Sequence, residues 1–236
     1  MLELVQQNAD VHSPLTSDPL YVVVEGPIGV GKTTLVHKLK EKMDAELVLE
    51  VVEENPFLSQ FYSNPKRYAF QTQLFFLMSR FRQQKNLYDG VGHEARGDFL
   101  ADYHLLKDRI FAELTLEDEE LALYESVYES LAMCIRKPDV LIYLTADEKS
   151  LIERIERRAR PFEKDFDRRY LARLSERYQH HFSDYSDTPL LKLNTSRINY
   201  VTDQEPVDEI YSEVKRLASN WRAGLGIEAC ISSNFV

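Results

Sequence analysis

The run Gly26-Pro27-Ile28-Gly29-Val30-Gly31-Lys32-Thr33-Thr34 fits the pattern G-x-x-x-x-G-K-[ST] and directly follows an apolar stretch at 21–24. An amphipathic segment with Leu35, Val36 and Leu39 comes next, so the pattern lies between a strand and a helix, the context in which it forms a phosphate loop. Gly26, Gly29 and Gly31 let successive backbone N–H groups point into one concavity. The helix adds the positive end of its dipole, Lys32 adds a formal charge, and Thr33, ahead of Thr34, offers a hydroxyl to Mg²⁺. Such a nest takes the phosphates of a nucleoside triphosphate. It also demands a buried strand behind it and a helix in front, which limits the fold to the open α/β class.

Four further apolar runs accompany the one at 21–25, namely 47–52, 99–102, 140–145 and 190–194. None alternates cleanly, as expected for parallel strands covered on both faces. Helical patterns at 32–43, 65–88, 104–136, 148–181 and 205–220 lie between and after them. The expectation is a doubly wound five-stranded parallel sheet flanked by helices. Right-handed crossovers bring the strands' C-terminal ends to one edge, so Gly26, the segment 50–54 and Asp102 should converge.

A chain of 236 residues suffices for one such domain. Its formal net charge of −10 argues against nucleic-acid binding, which draws on an excess of Lys and Arg. Cys134 and Cys230 belong to no Cys/His cluster, so neither a zinc site nor a disulfide framework is signalled, and a reducing cytoplasm fits. Residues 1–19 are polar and are expected to be an extension, not a signal peptide or membrane span. Residues 221–236, with Gly224, Gly226 and a Ser-rich end, read as a tail.

After the second apolar run come Glu50, Glu53 and Glu54, ahead of Pro56. A strand-end carboxylate near a γ-phosphate can accept the proton of an attacking hydroxyl, and Glu50 is the first candidate. Solvation of the turn before Pro56 is the competing reading. Asp102 ends an apolar run in the manner of a Walker-B acid and can serve Mg²⁺. Gln73 and Arg80 lie two helical turns apart with Phe76 nearby, offering an amide, a guanidinium and a ring to a nucleobase; an exposed polar stripe is the alternative. Arg154, Arg157, Arg158 and Arg160 interrupt an acidic chain and suit a lid over a transferring phosphoryl group. Helix-surface pairs such as Glu153 with Arg157 and Glu156 with Arg160 account for them equally well. His180 and His181, adjacent on a helix, point about 100° apart and read as surface.

Taken together, these motifs resemble the deoxynucleoside kinase family over residues 20–195. The order is the phosphate loop, Glu50-Val51-Val52 where the family has Glu-Pro-Val, Tyr62, Phe70-Gln71-Thr72-Gln73 through Ser79-Arg80, Asp102, and the arginine lid. Val52-Glu53-Glu54-Asn55-Pro56-Phe57 is similar specifically to bacterial deoxyadenosine/deoxyguanosine kinases. The resemblance implies transfer of the γ-phosphoryl of ATP, with Mg²⁺, to the 5′-hydroxyl of a deoxynucleoside. By it, Glu50 is the catalytic base, Gln73 pairs with the base edge, and Tyr62 and Glu163 hold the sugar 3′-hydroxyl. Arg80 and Asp108 match the pair surrounding the base in members that take purines or deoxycytidine. Arg154, Arg158 and Arg160 match the lid arginines that meet the ATP phosphates, with Arg158 and Lys32 assisting catalysis. The kinase domain would then span 20–220.

Two positions depart from the family pattern. Val51 replaces a proline, and the acid-Arg-Ser triplet after the third strand reads Asp102-Tyr103-His104, which removes an arginine near the 5′-hydroxyl. A nucleoside monophosphate kinase of the thymidylate type would want an arginine where Glu50, Glu53 and Glu54 stand; a kinase of the shikimate type fits Tyr62, Gln73 and Arg80 less well. A nucleotide-dependent switch would want Asp-x-x-Gly and Asn-Lys-x-Asp, and neither occurs. Family members are commonly homodimers, and Leu121, Tyr124, Val127, Tyr128 and Leu131 could form such a face or belong to the core.

Overall fold

The computed structural model describes residues 19–52, 54–88, 97–160 and 167–225. Five strands, β1 (Tyr21–Glu25), β2 (Ala45–Val48), β3 (Asp98–Ala101), β4 (Val140–Thr145) and β5 (Leu190–Asn194), form one sheet in the order β2-β3-β1-β4-β5. Every pairing is parallel. The helices are α1 (Lys32–Lys40), α2 (Leu58–Ser63), α3 (Pro65–Tyr88), α4 (Leu106–Thr115), α5 (Asp118–Ala132), α6 (Glu148–Arg158), α7 (Arg168–Ser183) and α8 (Glu205–Arg222). The expected architecture is what folds.

Alternation along the central strands explains why the apolar runs are continuous. Val22 and Val24 of β1, with Val140, Ile142 and Leu144 of β4, pack with Leu35 and Leu39 of α1 and Ile210, Val214 and Leu217 of α8. Tyr21 and Val23 turn the other way, toward Phe99 and Tyr103, while Leu141 and Tyr143 meet Leu174, Tyr178 and Phe182 of α7. Both faces are dry, so both phases of each strand must be apolar. Among the described residues no helix is long and apolar enough to cross a membrane.

Four boundaries differ from the sequence expectation. The second strand covers Ala45–Val48, not 47–52, because its last pair is Val48 with Ala101, where β3 itself ends. The helical pattern at 104–136 is two helices, interrupted where Leu116 and Glu117 adopt extended backbone. The pattern at 148–181 is also two. Helix α6 stops at Ala159 in the left-handed region (φ 50°), and α7 begins afresh at Asp167, whose side chain accepts the Arg169 N–H at 2.9 Å. The short helix α2 was not expected at all.

At the edge of the sheet away from the phosphate loop, Asp139 gathers three donors. Its carboxylate accepts the Tyr21 N–H (2.8 Å), Arg136 (2.9 Å) and the Arg222 guanidinium (3.1 Å), tying the start of β1 to the end of α8. Asp139→Ala would leave two guanidinium groups and a buried N–H without this acceptor, and is expected to lower the unfolding free energy by about 3 kcal/mol, read as a fall in urea midpoint with unchanged slope.

Candidate active site

The phosphate loop leaves β1 at Glu25, which is fully buried. Its Oε1 accepts the Gly26 N–H (2.7 Å) and the Tyr178 hydroxyl (3.0 Å), while Oε2 accepts the His104 N–H (2.7 Å). The loop is thereby locked to the turn after β3. Gly31 caps α1 with φ 104°, and a Cβ there would lie 2.3 Å from the Tyr200 hydroxyl. Gly26 is equally constrained, since a Cβ would lie 2.4 Å from the Leu144 carbonyl oxygen. Both backbone strain and contact therefore require glycine at these two positions.

Lys32 folds back over the loop, donating to the carbonyls of Gly26 (2.6 Å) and Pro27 (3.1 Å). Burial, aided by the nearby Lys107 ammonium, lowers its pKa to about 8 against the opposing pull of Glu25, Glu50 and Asp102. A further anion at the loop would raise it again. The Thr33 hydroxyl donates to Asp102 Oδ2 at 2.5 Å, and Asp102 Oδ1 accepts the Glu50 N–H at 2.8 Å.

From Glu50 the network runs on. One carboxylate oxygen meets Arg80, and the other accepts from Lys107 Nζ at 2.6 Å. Arg80 also pairs with Asp108 and lies between the rings of Phe76 (4.9 Å) and Tyr103 (5.6 Å). Burial alone would raise the Glu50 carboxyl, but Lys107 and Arg80, with Lys32 behind them, hold it well below the usual carboxylate range. Asp108 is fully buried, and its Oδ2 has no hydrogen-bond partner among the described residues; nor has Arg80 Nε. Buried polar atoms so left are ones that a ligand carrying the complementary groups can satisfy.

The remaining expected residues are arranged as follows. Gln73, almost fully buried, donates to the Thr115 hydroxyl at 3.1 Å. Tyr62 is exposed on α2, with its ring edge-on to Phe61 at 5.6 Å. Thr34 is exposed in the first turn of α1. Arg154 donates to the Val30 carbonyl (3.2 Å) and to both oxygens of Thr195 (2.7 and 2.8 Å), so it grips the loop backbone. Arg158 ends α6, Arg160 follows two residues on, and Glu163 lies outside the described residues. His180 is exposed as expected, whereas His181 is half-buried and meets Glu113 at 2.9 Å.

Sequence reasoning missed Glu25 and Lys107. A signal for Lys107 was present: it stands one turn before Ile110 on the apolar face of a helix, at the N-terminal end where the dipole disfavours a cation. A buried lysine so placed needs a carboxylate.

A family model described as deoxynucleoside kinase matches residues 22–219. The chain is 35% identical over 201 residues to a deoxyguanosine kinase of Bacillus subtilis, covering 84% of this chain and 97% of that protein. It is 32% identical over 201 residues to a deoxyadenosine/deoxycytidine kinase of the same organism, covering 82% and 90%. Among solved structures, a deoxyadenosine kinase from M. mycoides with bound dCTP superposes with a TM-score of 0.70 at 25% identity, covering 84% of this chain and all of that one. The phosphate loop, the acid at the end of β3 and the match along almost the whole domain agree, and this chain belongs to the deoxynucleoside kinase family.

Proposed function

We propose that this enzyme transfers the γ-phosphoryl group of ATP to the 5′-hydroxyl of a purine deoxynucleoside, deoxyadenosine or deoxyguanosine, with deoxycytidine as a further acceptor, in deoxynucleotide salvage. The observation that carries the reading is the continuous polar chain from Thr33 through Asp102, Glu50 and Arg80 to Asp108. It joins a triphosphate loop to a buried acceptor and donor atom that have no hydrogen-bond partner among the described residues. The names of the Bacillus relatives, a deoxyguanosine kinase and a deoxyadenosine/deoxycytidine kinase, support the same acceptors.

In the transfer, the 5′-hydroxyl oxygen bonds to the γ-phosphorus and the bond to the β,γ-bridging oxygen breaks. ADP leaves, and the hydroxyl proton passes to Glu50. Because the transition state is loose, position counts for more than basicity, and a carboxylate held ionised is adequate. Asp108 and Arg80 take the base edge, Gln73 adds its amide, and Tyr62 and Glu163 hold the 3′-hydroxyl. Lys32 and the loop amides of Gly26, Gly29, Gly31, Thr33 and Thr34 bind the phosphates, with Arg158 and Arg160 closing over them as a lid. Arg154 supports the loop from Val30 and would have to leave Thr195 to meet a phosphate.

The hard oxygen donors Thr33 and Asp102, 2.5 Å apart, would hold Mg²⁺ bound with ATP, and the ion would neutralise developing phosphate charge. Among the described residues no cluster of three His, Cys, Asp or Glu could hold a metal ion. Magnesium carried by phosphates needs only one or two protein oxygens. A homodimer and a cytoplasmic location complete the reading, but the stripe expected as its face is core, with Tyr124 and Tyr128 buried and Leu121, Val127 and Leu131 packed against them; 1–19 and 221–236 are appendages to the domain at 20–220.

With Mg²⁺ and ATP, the protein is expected to convert purine deoxynucleosides to products heavier by one phosphoryl group. Mass analysis across the four deoxynucleosides and their monophosphates checks this, and diphosphate formation alone would overturn it. Glu50→Gln should lower kcat by about 10²–10⁴-fold while ATP still binds, as measured by steady-state rates and nucleotide titration. Asp108→Ala is expected to lower kcat/KM for the purine deoxynucleosides by about tenfold to a hundredfold, with the KM for ATP little changed.

A further inference from the structure

Glu50 lies beyond the last residue pair of β2, so no sheet ladder fixes its backbone; its N–H is held by the Asp102 side chain. The aim of its carboxylate is therefore set by the side chains that meet it, Arg80 from α3 and Lys107 from α4. These two cations are not equivalent. Arg80 is shared with Asp108 and belongs to the edge that receives the nucleobase. Lys107 is dedicated: among the described residues its ammonium hydrogen-bonds to Glu50, and it lies 5.6 Å from the Phe111 ring.

The position of Lys107 is costly by ordinary packing criteria. It is only 6% exposed, and it sits in the first turn of α4, whose positive end repels a cation. Asp108, the acid beside it, is engaged with Arg80. A lysine kept under these conditions, touching one carboxylate, marks a site where local stability is given up for function.

We propose that Lys107 is the positioning residue of the phosphoryl transfer, anchoring Glu50 Oε2 so that Oε1 faces the acceptor hydroxyl once Arg80 turns to the nucleobase. It stands in for a cation that Tyr103 does not supply. The hydroxyl proton moves to Glu50 Oε1 as the new P–O bond forms, and ADP departs as the bond from the γ-phosphorus to the bridging oxygen breaks. The inference rests on the reading of Glu50 as proton acceptor.

The test compares Lys107→Met, Lys107→Arg, Glu50→Gln and the double variant Lys107→Met/Glu50→Gln by single-turnover and steady-state rates. Thermal unfolding of each is followed, and Lys107→Gln replaces the methionine variant should that one fail to fold. Lys107→Met is expected to lower kcat by about a hundredfold with the KM for ATP changed less than about threefold, and Lys107→Arg should recover most of the loss. In the Glu50→Gln background the same Lys107 change should cost little more, because the lysine acts through the carboxylate. Wild-type kcat in Lys107→Met would overturn the assignment, as would an equal loss in both backgrounds. Near-normal turnover in Glu50→Gln would instead overturn the proton-acceptor reading, so the two failures are told apart.

Discussion

The Asp102 carboxylate is the joint on which the site depends. Strand β3 lies between β1 and β2, so its C-terminal end is flanked by the phosphate loop on one side and by the segment carrying Glu50 on the other. One oxygen receives the Thr33 hydroxyl and the other the Glu50 N–H. Strand order alone thus brings together two segments that are distant in sequence. The contact with the Glu50 N–H would be lost if β2 paired through residue 52, since that N–H would then be held in the ladder. The shortness of β2 is a condition of the chemistry.

Around that joint the charges are mutually compensating. Lys32, Arg80 and Lys107 converge on Glu50, while Glu25, Asp102 and Asp108 answer them from β1, β3 and α4. The chain as a whole carries −10, yet its site is locally rich in cations. Screening explains how both hold: surface acids are separated from the site by solvent, whereas the site charges interact through protein. Burial brings the Lys32 pKa to about 8, so the loop gains most from an anion that relieves it, and Glu50 is kept ionised by the same cations that aim it.

Much of this was legible in the sequence, for reasons that can be named. The phosphate loop was legible because positive φ at Gly31 and the close approach at Gly26 admit no other residue. The strands were legible because both faces of the sheet are covered, which leaves apolar runs with little polar interruption. Helix ends were harder: the break at Leu116 and Glu117 carries neither proline nor glycine, so nothing local announced it. The break before Asp167 did have local signals in Pro161 and the capping aspartate. Arg154 looked like its neighbours Arg157 and Arg158, but its engagement with Thr195 depends on β5, forty-one residues away. Lys107 was missed because its contact with Glu50 spans fifty-seven residues and depends on the phase at which α4 starts.

That phase also explains why a tyrosine is tolerated at 103. The residue immediately after Asp102 turns inward, where it is fully buried with its ring under Arg80 and its hydroxyl donating to Gln83 at 2.9 Å. A guanidinium there would lie against Arg80 and repel it, unless Arg80 moved off Asp108. Putting the second cation one helical turn later avoids that conflict: Lys107 reaches Glu50 from α4 while the Tyr103 ring steadies Arg80 from below. On the proposed roles, Lys107 would keep its hold on Glu50 Oε2 even when Arg80, which meets the other oxygen, turns to a nucleobase.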